Sequence, residues 1–324
     1  MSGSKIAVVG GAHVDRRGRI SGATRPGASN PGAWFEEAGG GGFNAARALA
    51  LLGHDVTMVS VAGGDSGAAL VEAAAARTGV TLSGFTFLDR QTPSYTAVLE
   101  ADGNLVIALA DMALYDLMTP RRLKVNWLRE TLSGADLILC DANLPAETIR
   151  MLAEDAAARS IPIAAIGISP AKVVRLAPSL PLLHFVFMNE AEAKTLAGPE
   201  AGAAGWTDRM RILGLNGGAI TRGMNPAVAW NGSERAELAP PPVDVIGDVT
   251  GAGDAFAAGA IDAWLTGGGI SDMIRQATAL ARLTVLSPLA VAENINRDSL
   301  SQALALVPPP EMLNGSGSNQ GKDR

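Results

Sequence analysis

Short apolar runs alternate with helical segments along most of this sequence, and this alternation limits the fold more than any other feature. Residues 5–9 and 56–61 have the length and composition of strands buried on both faces, and residues 66–78 have the pattern of a helix. The other predicted elements are strands at 136–140, 161–166, 185–188 and 219–221 and helices at 43–52, 146–159, 252–265 and 272–286. Because strands connected through helices form βαβ units, the sequence predicts one α/β domain over residues 1–312, with helices flanking a central, mostly parallel sheet.

Two regions interrupt this alternation. Residues 13–37 are rich in glycine and proline and show no helical period. Residues 85–110 hold two apolar runs joined by Asp102-Gly103, which is a strong hairpin signal. We predict that both regions form one small antiparallel sheet, whose apolar face needs substrate, the main domain or a second subunit against it. A lid and a homodimer interface are both open at this point.

The composition is that of a globular protein and narrows the range of partners. Hydrophobic residues make up 48% and charged residues 18% of the chain, and the formal net charge is −6. Negative charge offers nucleic acid no electrostatic attraction, so nucleic acid is not expected as a partner. The chain has one cysteine, Cys140, and shows no signal-peptide pattern and no membrane-length apolar run, so we expect a cytoplasmic protein without membrane contact. The glycine- and serine-rich tail at 313–324 is predicted to be disordered.

The most informative motif is Asp248-Val-Thr-Gly-Ala-Gly-Asp254, which leads into a predicted helix. The amides of Gly251, Ala252 and Gly253 are expected to be unpaired at the start of that helix, where the helix dipole favours negative charge. Glycine lets the backbone approach an anion closely, so the motif predicts a phosphate site. Asp254 then lies beside the anion, where it can accept a proton from a hydroxyl that attacks the phosphate. The alternative is a tight turn in which Asp254 only caps the helix.

A second glycine-rich segment, Gly39-Gly-Gly-Gly-Phe-Asn44, precedes another predicted helix. Bare backbone at Gly40 and Gly41 leaves room for the hydroxyls of a ligand, and Asn44 supplies a donor and an acceptor. A flexible loop without a ligand is the alternative. The segment lacks the Gly-x-Gly-x-x-Gly fingerprint of dinucleotide sites, and the sequence lacks the Gly-x-x-x-x-Gly-Lys-Ser/Thr element of P-loop enzymes.

Polar residues follow two of the predicted strands. His13 and Asp15 come after the first strand, and Asp141 and Asn143 come at the end of the strand predicted at 136–140. Open α/β sheets bind their ligands at the carboxyl ends of the strands. We therefore expect these residues at a ligand site.

The run Thr250-Gly-Ala-Gly-Asp254, together with the glycine-rich segment at 39–44, resembles the ribokinase (PfkB) family of carbohydrate and nucleoside kinases. The resemblance extends from residue 5 to about residue 307. It implies a ribokinase-like fold with a β lid, ATP and Mg²⁺ as cofactors, and Asp254 as the catalytic base. It also assigns Asp15 to the sugar hydroxyls of the substrate, although the family commonly has asparagine where this chain has His13.

The resemblance also implies a nucleotide site and a cation site. The matching positions are Asn189, Glu192, Thr221, Gly223, Asn294, Asp248 and Thr250. Glu192 is expected to hold Mg²⁺ through water, and Asp248 with Thr250 to belong to a loop that holds K⁺ in the family.

Within this family, several short runs are similar to pseudouridine kinases, namely residues 29–32, 92–96, 110–112, 141–143 and 293–298. The implied reaction is phosphorylation of the 5′-hydroxyl of pseudouridine, whose base carries one more ring N–H than uridine. A buried acceptor for that N–H would discriminate by about 1–3 kcal/mol. The additional implied substrate contacts are Ser29, Asn30, Thr96, Asp111 and Asn143, with Ser29 and Asn30 expected to read the base.

Two alternatives remain open at the level of sequence. The first is another enzyme of the same family, acting on ribose, on another nucleoside or on a keto-deoxy sugar acid. A sugar acid needs a cation for its carboxylate, and Arg16, Arg17, Arg19 and Arg25 are available near the lid. The second is a binding protein of the same fold without catalysis, which is expected to lack Asp254.

Overall fold

The computed structural model describes residues 3–198, 203–243 and 245–313, and the chain divides into two compact units. The N-terminal unit is Met1–Ile161 and the C-terminal unit is Pro162–Arg324. The single domain predicted over residues 1–312 stays a prediction. Apart from Leu313, the predicted disordered tail lies outside the described residues.

The N-terminal unit contains a parallel sheet, flanking helices and a second, smaller sheet. Its strands are β1 (Lys5–Val9), β2 (His13–Ile20), β3 (Gly32–Gly39), β4 (Asp55–Gly63), β5 (Thr81–Phe87), β6 (Ser94–Leu99), β7 (Leu105–Asp111) and β8 (Leu137–Asp141). Its helices are α1 (Gly41–Leu51), α2 (Ser66–Thr78), α3 (Asn126–Ser133) and α4 (Ala146–Ala158). Strands β8, β1, β4 and β5 lie side by side in this order and are all parallel.

The parallel sheet follows from the apolar runs of the sequence. All five residues of β8 are buried, as expected for a strand covered on both faces. Helix α2 begins after Asp65, whose carboxylate accepts the N–H of Ala68, and ends at Gly79, whose positive φ of 78° favours glycine. Strand β5 differs from the prediction, because its last three residues, expected in the lid, pair with β4 instead. Alternation of buried and exposed residues is typical of strands in the main sheet and of strands in the predicted lid. The sequence pattern therefore does not indicate which of the two sheets a strand joins.

The smaller sheet has the strand order β3-β2-β6-β7 and consists of two hairpins. We call it the lid sheet. Strands β2 and β3 are antiparallel, β6 and β7 are antiparallel, and the two hairpins meet through a parallel pairing of β2 with β6. The hairpin signal at Asp102-Gly103 is confirmed, with Gly103 at a φ of 94°. The lid sheet therefore combines the two regions that the sequence separates by more than forty residues.

The C-terminal unit also contains strands and helices. Its strands are β9 (Ile163–Ile166), β10 (Phe185–Asn189), β11 (Gly217–Arg222), β12 (Asn225–Asn231), β13 (Glu234–Leu238) and β14 (Glu311–Met312). Its helices are α5 (Pro170–Val173), α6 (Glu190–Ala197), α7 (Ala203–Ile212), α8 (Ala252–Leu265), α9 (Ile270–Val285) and α10 (Arg297–Ala305). Strands β9, β10 and β11 are parallel, and β12, β13 and β14 continue the sheet in antiparallel fashion.

Close packing of α8 and α9 fixes the helix that begins at the Gly251-Ala-Gly-Asp254 motif. A Cβ at Gly259 in α8 would lie 2.7 Å from the carbonyl oxygen of Gln276 in α9, so glycine permits the close approach. Asp262 in α8 is fully buried and pairs with Arg297 in α10 at 2.6 Å. Helix α8 is thus held from two sides within its unit.

The start of α2 provides a test of the fold. Replacing Asp65 by alanine should lower the free energy of unfolding by about 1–2 kcal/mol, because the helix loses its N-cap acceptor. The same carboxylate also accepts the N–H of Thr92 at 3.0 Å and its hydroxyl at 2.6 Å. Urea denaturation measures the change, and Asp89→Ala, at an exposed acid, is the control with an expected change within about 0.5 kcal/mol. Equal effects of the two variants would contradict the assignment.

The effect of Asp65→Ala should also depend on pH. Burial raises the pKa of Asp65, but hydrogen bonds from Thr92 and Ala68 outweigh it, so the pKa lies below its usual value. The stabilisation by the ionised carboxylate is therefore present above the usual aspartate pKa and is lost as pH falls through the lowered pKa. The difference between the variant and the native protein should shrink between pH 7 and about pH 3.

Candidate active site

A buried carboxylate organises the polar end of the N-terminal parallel sheet. Asp141 is the last residue of β8, and its Oδ2 accepts the backbone N–H of Gly11 at 2.8 Å and of Gly42 at 3.0 Å. Its Oδ1 accepts the N–H of Asn143 at 2.9 Å. The carboxylate thus joins the loop after β1, the start of α1 and the loop after β8. Asn143, a predicted substrate contact, lies buried beside this cluster.

The glycine-rich segment makes room for acidic side chains as well as for a ligand. A Cβ at Gly39 would lie 2.0 Å from Oδ2 of Asp15, and a Cβ at Gly42 would lie 2.8 Å from Oδ2 of Asp141. Gly40 has a φ of 110°, which strongly favours glycine. The expectation from sequence was that these glycines admit ligand hydroxyls. In the structure, at least Gly39 and Gly42 are required by the protein's own carboxylates, whereas contacts of Gly40 and Gly41 with substrate stay predictions.

Asn44 lies in α1 and is buried against a second polar side chain. Its Oδ1 accepts a hydrogen bond from Nη2 of Arg47 at 2.6 Å, and the same guanidinium donates to the carbonyl of Ala38. The guanidinium also lies 4.9 Å from the centre of the Phe43 ring. Sequence reasoning missed Arg47, although its spacing three residues after Asn44 on a helix is a signal for such a pair.

Asp15 lies in β2 at the edge of the glycine-rich segment. Its Oδ1 is 3.2 Å from Nε2 of His13, and its side chain is largely buried. By strand register, Asp15 faces the same side of the lid sheet as Glu37 and Tyr95. The contact of Asp15 with substrate hydroxyls stays a prediction.

The register places two predicted substrate contacts, Thr96 and Asp111, on the face of the lid sheet opposite Asp15, and their contact with substrate stays a prediction. Thr96 pairs with Arg16 and not with Asp15, so its side chain projects from the opposite side of the lid sheet. Asp111 pairs with Ser94, which lies on that same opposite side. Neither residue shares a face with Asp15, because the side-chain period of a strand is two and the sequence did not fix the register.

The two predicted base-reading residues lie in the loop between β2 and β3. Ser29 is exposed. The side chain of Asn30 accepts the N–H of Arg25 at 2.8 Å and donates to the carbonyls of Arg25 and Ala28, both at 3.0 Å. Asn30 therefore closes its own loop, and a contact with the base requires those bonds to be exchanged.

In the C-terminal unit, the Gly251-Ala-Gly-Asp254 motif forms the start of α8, as the sequence predicts. Gly251 is the N-cap with a φ of 77°, and Asp254 lies in the first turn. One expectation is wrong, since the N–H of Ala252 donates to the carbonyl of Val249 at 3.2 Å. Within the part of the chain that the structure describes, no acceptor is found for the N–H groups of Gly251 and Gly253, so two of the three amides are available to an anion.

A cavity of about 120 Å³ beside the start of α8 brings together several predicted residues from separate elements of this unit. Its lining includes Asn189, Glu192, Thr221, Gly253 and Asp254. These residues come from the end of β10, from α6, from the end of β11 and from α8. Their convergence is a property of the tertiary structure, because they are spread over more than sixty residues of sequence.

Asn189 and Glu192 form a reciprocal cap at the start of α6. The N–H of Asn189 donates to Oε2 of Glu192 at 2.9 Å, its Nδ2 donates to Oε1 at 2.8 Å, and its Oδ1 accepts the N–H of Glu192 at 3.0 Å. Burial raises the pKa of Glu192, while the hydrogen bonds from Asn189 oppose the shift. The Asn-x-x-Glu element thus holds a carboxylate rigidly at the cavity.

A larger, mainly apolar cavity of about 320 Å³ lies on the other side of the α8 start. Gly223, which has a φ of 61° in the turn between β11 and β12, lines it together with Thr278, Ala281 and Val285 of α9. An aromatic ring fits a cavity with these walls. Asn294 is not among its lining residues and is exposed, so the structure does not place it with the predicted nucleotide contacts.

The predicted cation loop is compact. Oδ1 of Asp248 accepts both the N–H and the hydroxyl of Thr250, each at 2.8 Å. A Cβ at Gly251 would lie 2.0 Å from the carbonyl oxygen of Ala290, so this loop packs directly on the backbone after α9. Among the described residues, no group of three or more acidic, histidine or cysteine side chains could hold a metal ion.

In the same part of the chain, no helix is long and apolar enough to span a bilayer.

With this geometry in place, comparison with known proteins decides the family. The pfkB family carbohydrate kinase model matches residues 4–296. The chain belongs to the pfkB family. It is 27% identical to the pseudouridine kinase of Escherichia coli K12 over 95% of this chain and 98% of that protein. It is 31% identical to the uncharacterized sugar kinase YeiI of the same organism, over 93% and 83% of the two chains.

Solved structures agree with this membership. A carbohydrate kinase from Agrobacterium tumefaciens superposes with a TM-score of 0.87 at 52% identity, over 96% of this pfkB chain and 100% of that one. A ribokinase from Arabidopsis thaliana, complexed with ribose and ATP, superposes with a TM-score of 0.81 at 21% identity, over 93% and 99% of the chains. These likenesses confirm the ribokinase-like α/β fold, with a mostly parallel sheet, flanking helices and a small sheet whose two hairpins are antiparallel. They also confirm that the protein is a sugar or nucleoside kinase.

The raised pKa of Glu192 leads to a prediction for the stability of this pfkB kinase. Between the usual glutamate pKa of about 4.5 and the raised value, the folded state binds more protons than the unfolded state, so folding stability falls as pH rises. Glu192→Gln lacks this titration. The free energy of unfolding of the native protein, minus that of the variant, should therefore decrease as pH rises through the raised pKa. Urea denaturation across this pH range measures it, and a pH-independent difference would contradict the assignment.

Proposed function

We propose that this kinase transfers the γ-phosphoryl group of ATP to the 5′-hydroxyl of pseudouridine and forms pseudouridine 5′-phosphate. The observation that supports kinase chemistry most strongly is the cavity that joins Asp254 and Gly253 with Glu192. The substrate is supported by the end-to-end similarity to the Escherichia coli pseudouridine kinase. The proposal retains the cytoplasmic location predicted from the sequence.

In the proposed mechanism, each residue acts through a group that the structure identifies. The carboxylate of Asp15 accepts hydrogen bonds from the ribose hydroxyls. Asp254 accepts the proton of the 5′-hydroxyl as that oxygen attacks phosphorus. The N–H groups of Gly251 and Gly253 donate to the charge that develops on the transferred group. The reaction requires the 5′-hydroxyl to reach Asp254 in the absence of competing water.

The residues present fit a magnesium–nucleotide cofactor. The mainly apolar 320 Å³ cavity lined by Gly223 and α9 would hold the adenine, and the 120 Å³ cavity would hold the phosphates with their magnesium. Glu192 and Asn189 would hold water of the magnesium shell, since their cap keeps a carboxylate at that cavity. When bound, Mg²⁺–ATP supplies the phosphoryl group and neutralises part of its charge. The Asp248–Thr250 loop is proposed to hold K⁺.

Two of the four arginines that could bind the carboxylate of a sugar acid, Arg16 and Arg17, are already paired with acids of this chain. Arg16 forms an ion pair with Glu36 at 2.9 Å, and Arg17 forms one with Glu37 on the Asp15 side of the lid sheet. Both guanidinium groups therefore already face a carboxylate of this chain. Ribose and uridine remain the main competitors, because they present the same hydroxyls to Asp15.

A substrate panel tests the proposal directly. Purified protein with Mg²⁺–ATP is given pseudouridine, uridine, ribose or 2-keto-3-deoxygluconate, and both ADP formation and the phosphorylated product are measured. We expect the highest kcat/KM for pseudouridine, and a higher value for any other compound rejects the substrate. Asp254→Asn should lower kcat by at least ~100-fold with little change in KM. Asp272→Asn, which also alters a first-turn acid, is the control and should stay near native.

We further propose that the protein is a homodimer through the lid sheet. Trp34, Ile107 and Leu109 lie on the side of this sheet opposite Asp15. Trp34 pairs with Gly18, Gly18 with Val98, and Val98 with Ile107, so these residues form one line across the four strands, and Leu109 lies two residues from Ile107 on the same face of β7. These three large side chains are 64%, 65% and 71% exposed. A contiguous apolar patch of this kind on a soluble chain favours a protein partner, and the same face of a second copy is the simplest one.

Sedimentation equilibrium tests the dimer. The native protein should sediment as a dimer at micromolar concentration, and Ile107→Glu should convert it to a monomer, because a charge is placed in the apolar contact. Ile212→Glu, at a residue that is 84% exposed in the C-terminal unit, is the matched control and should leave the dimer intact. A monomeric native protein, or an Ile107→Glu dimer, would reject the lid interface.

A further inference from the structure

Asp15, His13 and Tyr115 form a buried chain of polar groups in the N-terminal unit. Nε2 of His13 lies 3.2 Å from Oδ1 of Asp15, and Nδ1 of the same ring lies 3.0 Å from the hydroxyl of Tyr115. His13 is 8% exposed and Tyr115 is 1% exposed. The chain therefore connects the carboxylate at the edge of the glycine-rich segment with a phenol in the core.

The direction of each hydrogen bond follows from the groups that surround Tyr115. Burial raises the pKa of Tyr115 well above its usual value, and the charges of Asp141 and Asp15 add to the shift. The phenol is therefore protonated and can donate. Nδ1 of His13 lies within hydrogen-bond distance of this hydroxyl, at 3.0 Å. The Tyr115 proton is then available to Nδ1 of His13.

This direction fixes the histidine tautomer. When Nδ1 accepts from Tyr115, the proton of neutral His13 resides on Nε2 and is donated to Oδ1 of Asp15. Oδ2 of Asp15 points to the space that glycine leaves at position 39, where a Cβ would come within 2.0 Å. One carboxylate oxygen is thus held by the protein, and the other faces the glycine-rich segment.

Close contacts with the backbone restrict the positions of His13 and Tyr115. A Cβ at Gly40 would lie 3.2 Å from Nδ1 of His13, and a Cβ at Gly11 would lie 3.2 Å from the Tyr115 hydroxyl. Glycine at these positions lets the ring and the phenol approach the backbone. The packing leaves His13 little freedom to turn away from Asp15.

We infer that His13 and Tyr115 are positioning residues that fix the carboxylate of Asp15 for the substrate hydroxyls. Tyr115 sets the tautomer of His13, and His13 orients Asp15 so that Oδ2 is presented to the sugar. This role goes beyond the proposed function, on which it rests for the identity of the bound group. It predicts an effect on the sugar substrate that is not shared by ATP.

Two substitutions at His13 separate orientation from packing. His13→Gln retains an N–H donor toward Asp15 and loses the ring, whereas His13→Phe retains the ring and loses the donor. We expect His13→Phe to raise KM for the hydroxyl substrate about tenfold, the loss of one hydrogen bond, with KM for ATP within about twofold. His13→Gln should stay within about threefold of the native KM. A packing role predicts the reverse order, which would overturn the inference.

A second measurement is independent of activity. Long-range ¹H–¹⁵N NMR spectra of the substrate-free protein at neutral pH report the tautomer of each histidine, with His13 assigned from the spectrum of His13→Gln. We expect His13 to carry its proton on Nε2 in the native protein. In Tyr115→Phe this preference for the Nε2–H tautomer should be lost, and in the control His184→Gln the His13 signals should stay unchanged. A proton on Nδ1 of His13 would overturn the inference. If no compound of the substrate panel is phosphorylated, the proposed function fails while the NMR result still decides the hydrogen-bond chain.

Discussion

The N-terminal unit depends on the placement of acidic side chains against bare backbone. Removing a carboxylate from water is costly unless hydrogen bonds replace the lost hydration, and Asp141 obtains three such bonds from backbone N–H groups. Glycine at positions 10 and 42 leaves room for this carboxylate, because a Cβ at either position would lie less than 3 Å from its Oδ2. Glycine at position 39 likewise leaves room for the carboxylate of Asp15. One requirement, glycine opposite a buried acid, thus shapes both the loop geometry and the proposed substrate site.

The C-terminal unit uses charge differently. Glu192 is held by reciprocal hydrogen bonds with Asn189, and the acid faces a cavity that also receives Asp254 and the N–H of Gly253. Two acids and a helix N-terminus around one small cavity fit the phosphate and cation of the proposed cofactor. Burial raises the pKa of Glu192, and the hydrogen bonds from Asn189 oppose the shift.

Much of this protein was predictable from local sequence. The alternation of apolar runs and helices specified the α/β class, because each element buries its own pattern of side chains. The Asp102-Gly103 hairpin and the glycine-led start of α8 were predictable for the same reason, as turn and cap chemistry depends on neighbouring residues only. Asn189 and Glu192 lie three residues apart, so their reciprocal cap could also be predicted from the sequence.

The sequence by itself determined the fold class, the glycine-led start of α8 and the acid in its first turn, Asp254, because these are properties of short segments. Tertiary structure alone decided the face of Thr96, since strand register depends on pairing with a distant strand and shifts every side chain when it changes by one residue. It also decided the partners of His13, because Tyr115 lies about a hundred residues away in sequence. Long-range contacts leave no periodic trace in a single sequence, so the chain behind Asp15 became visible only in the folded protein.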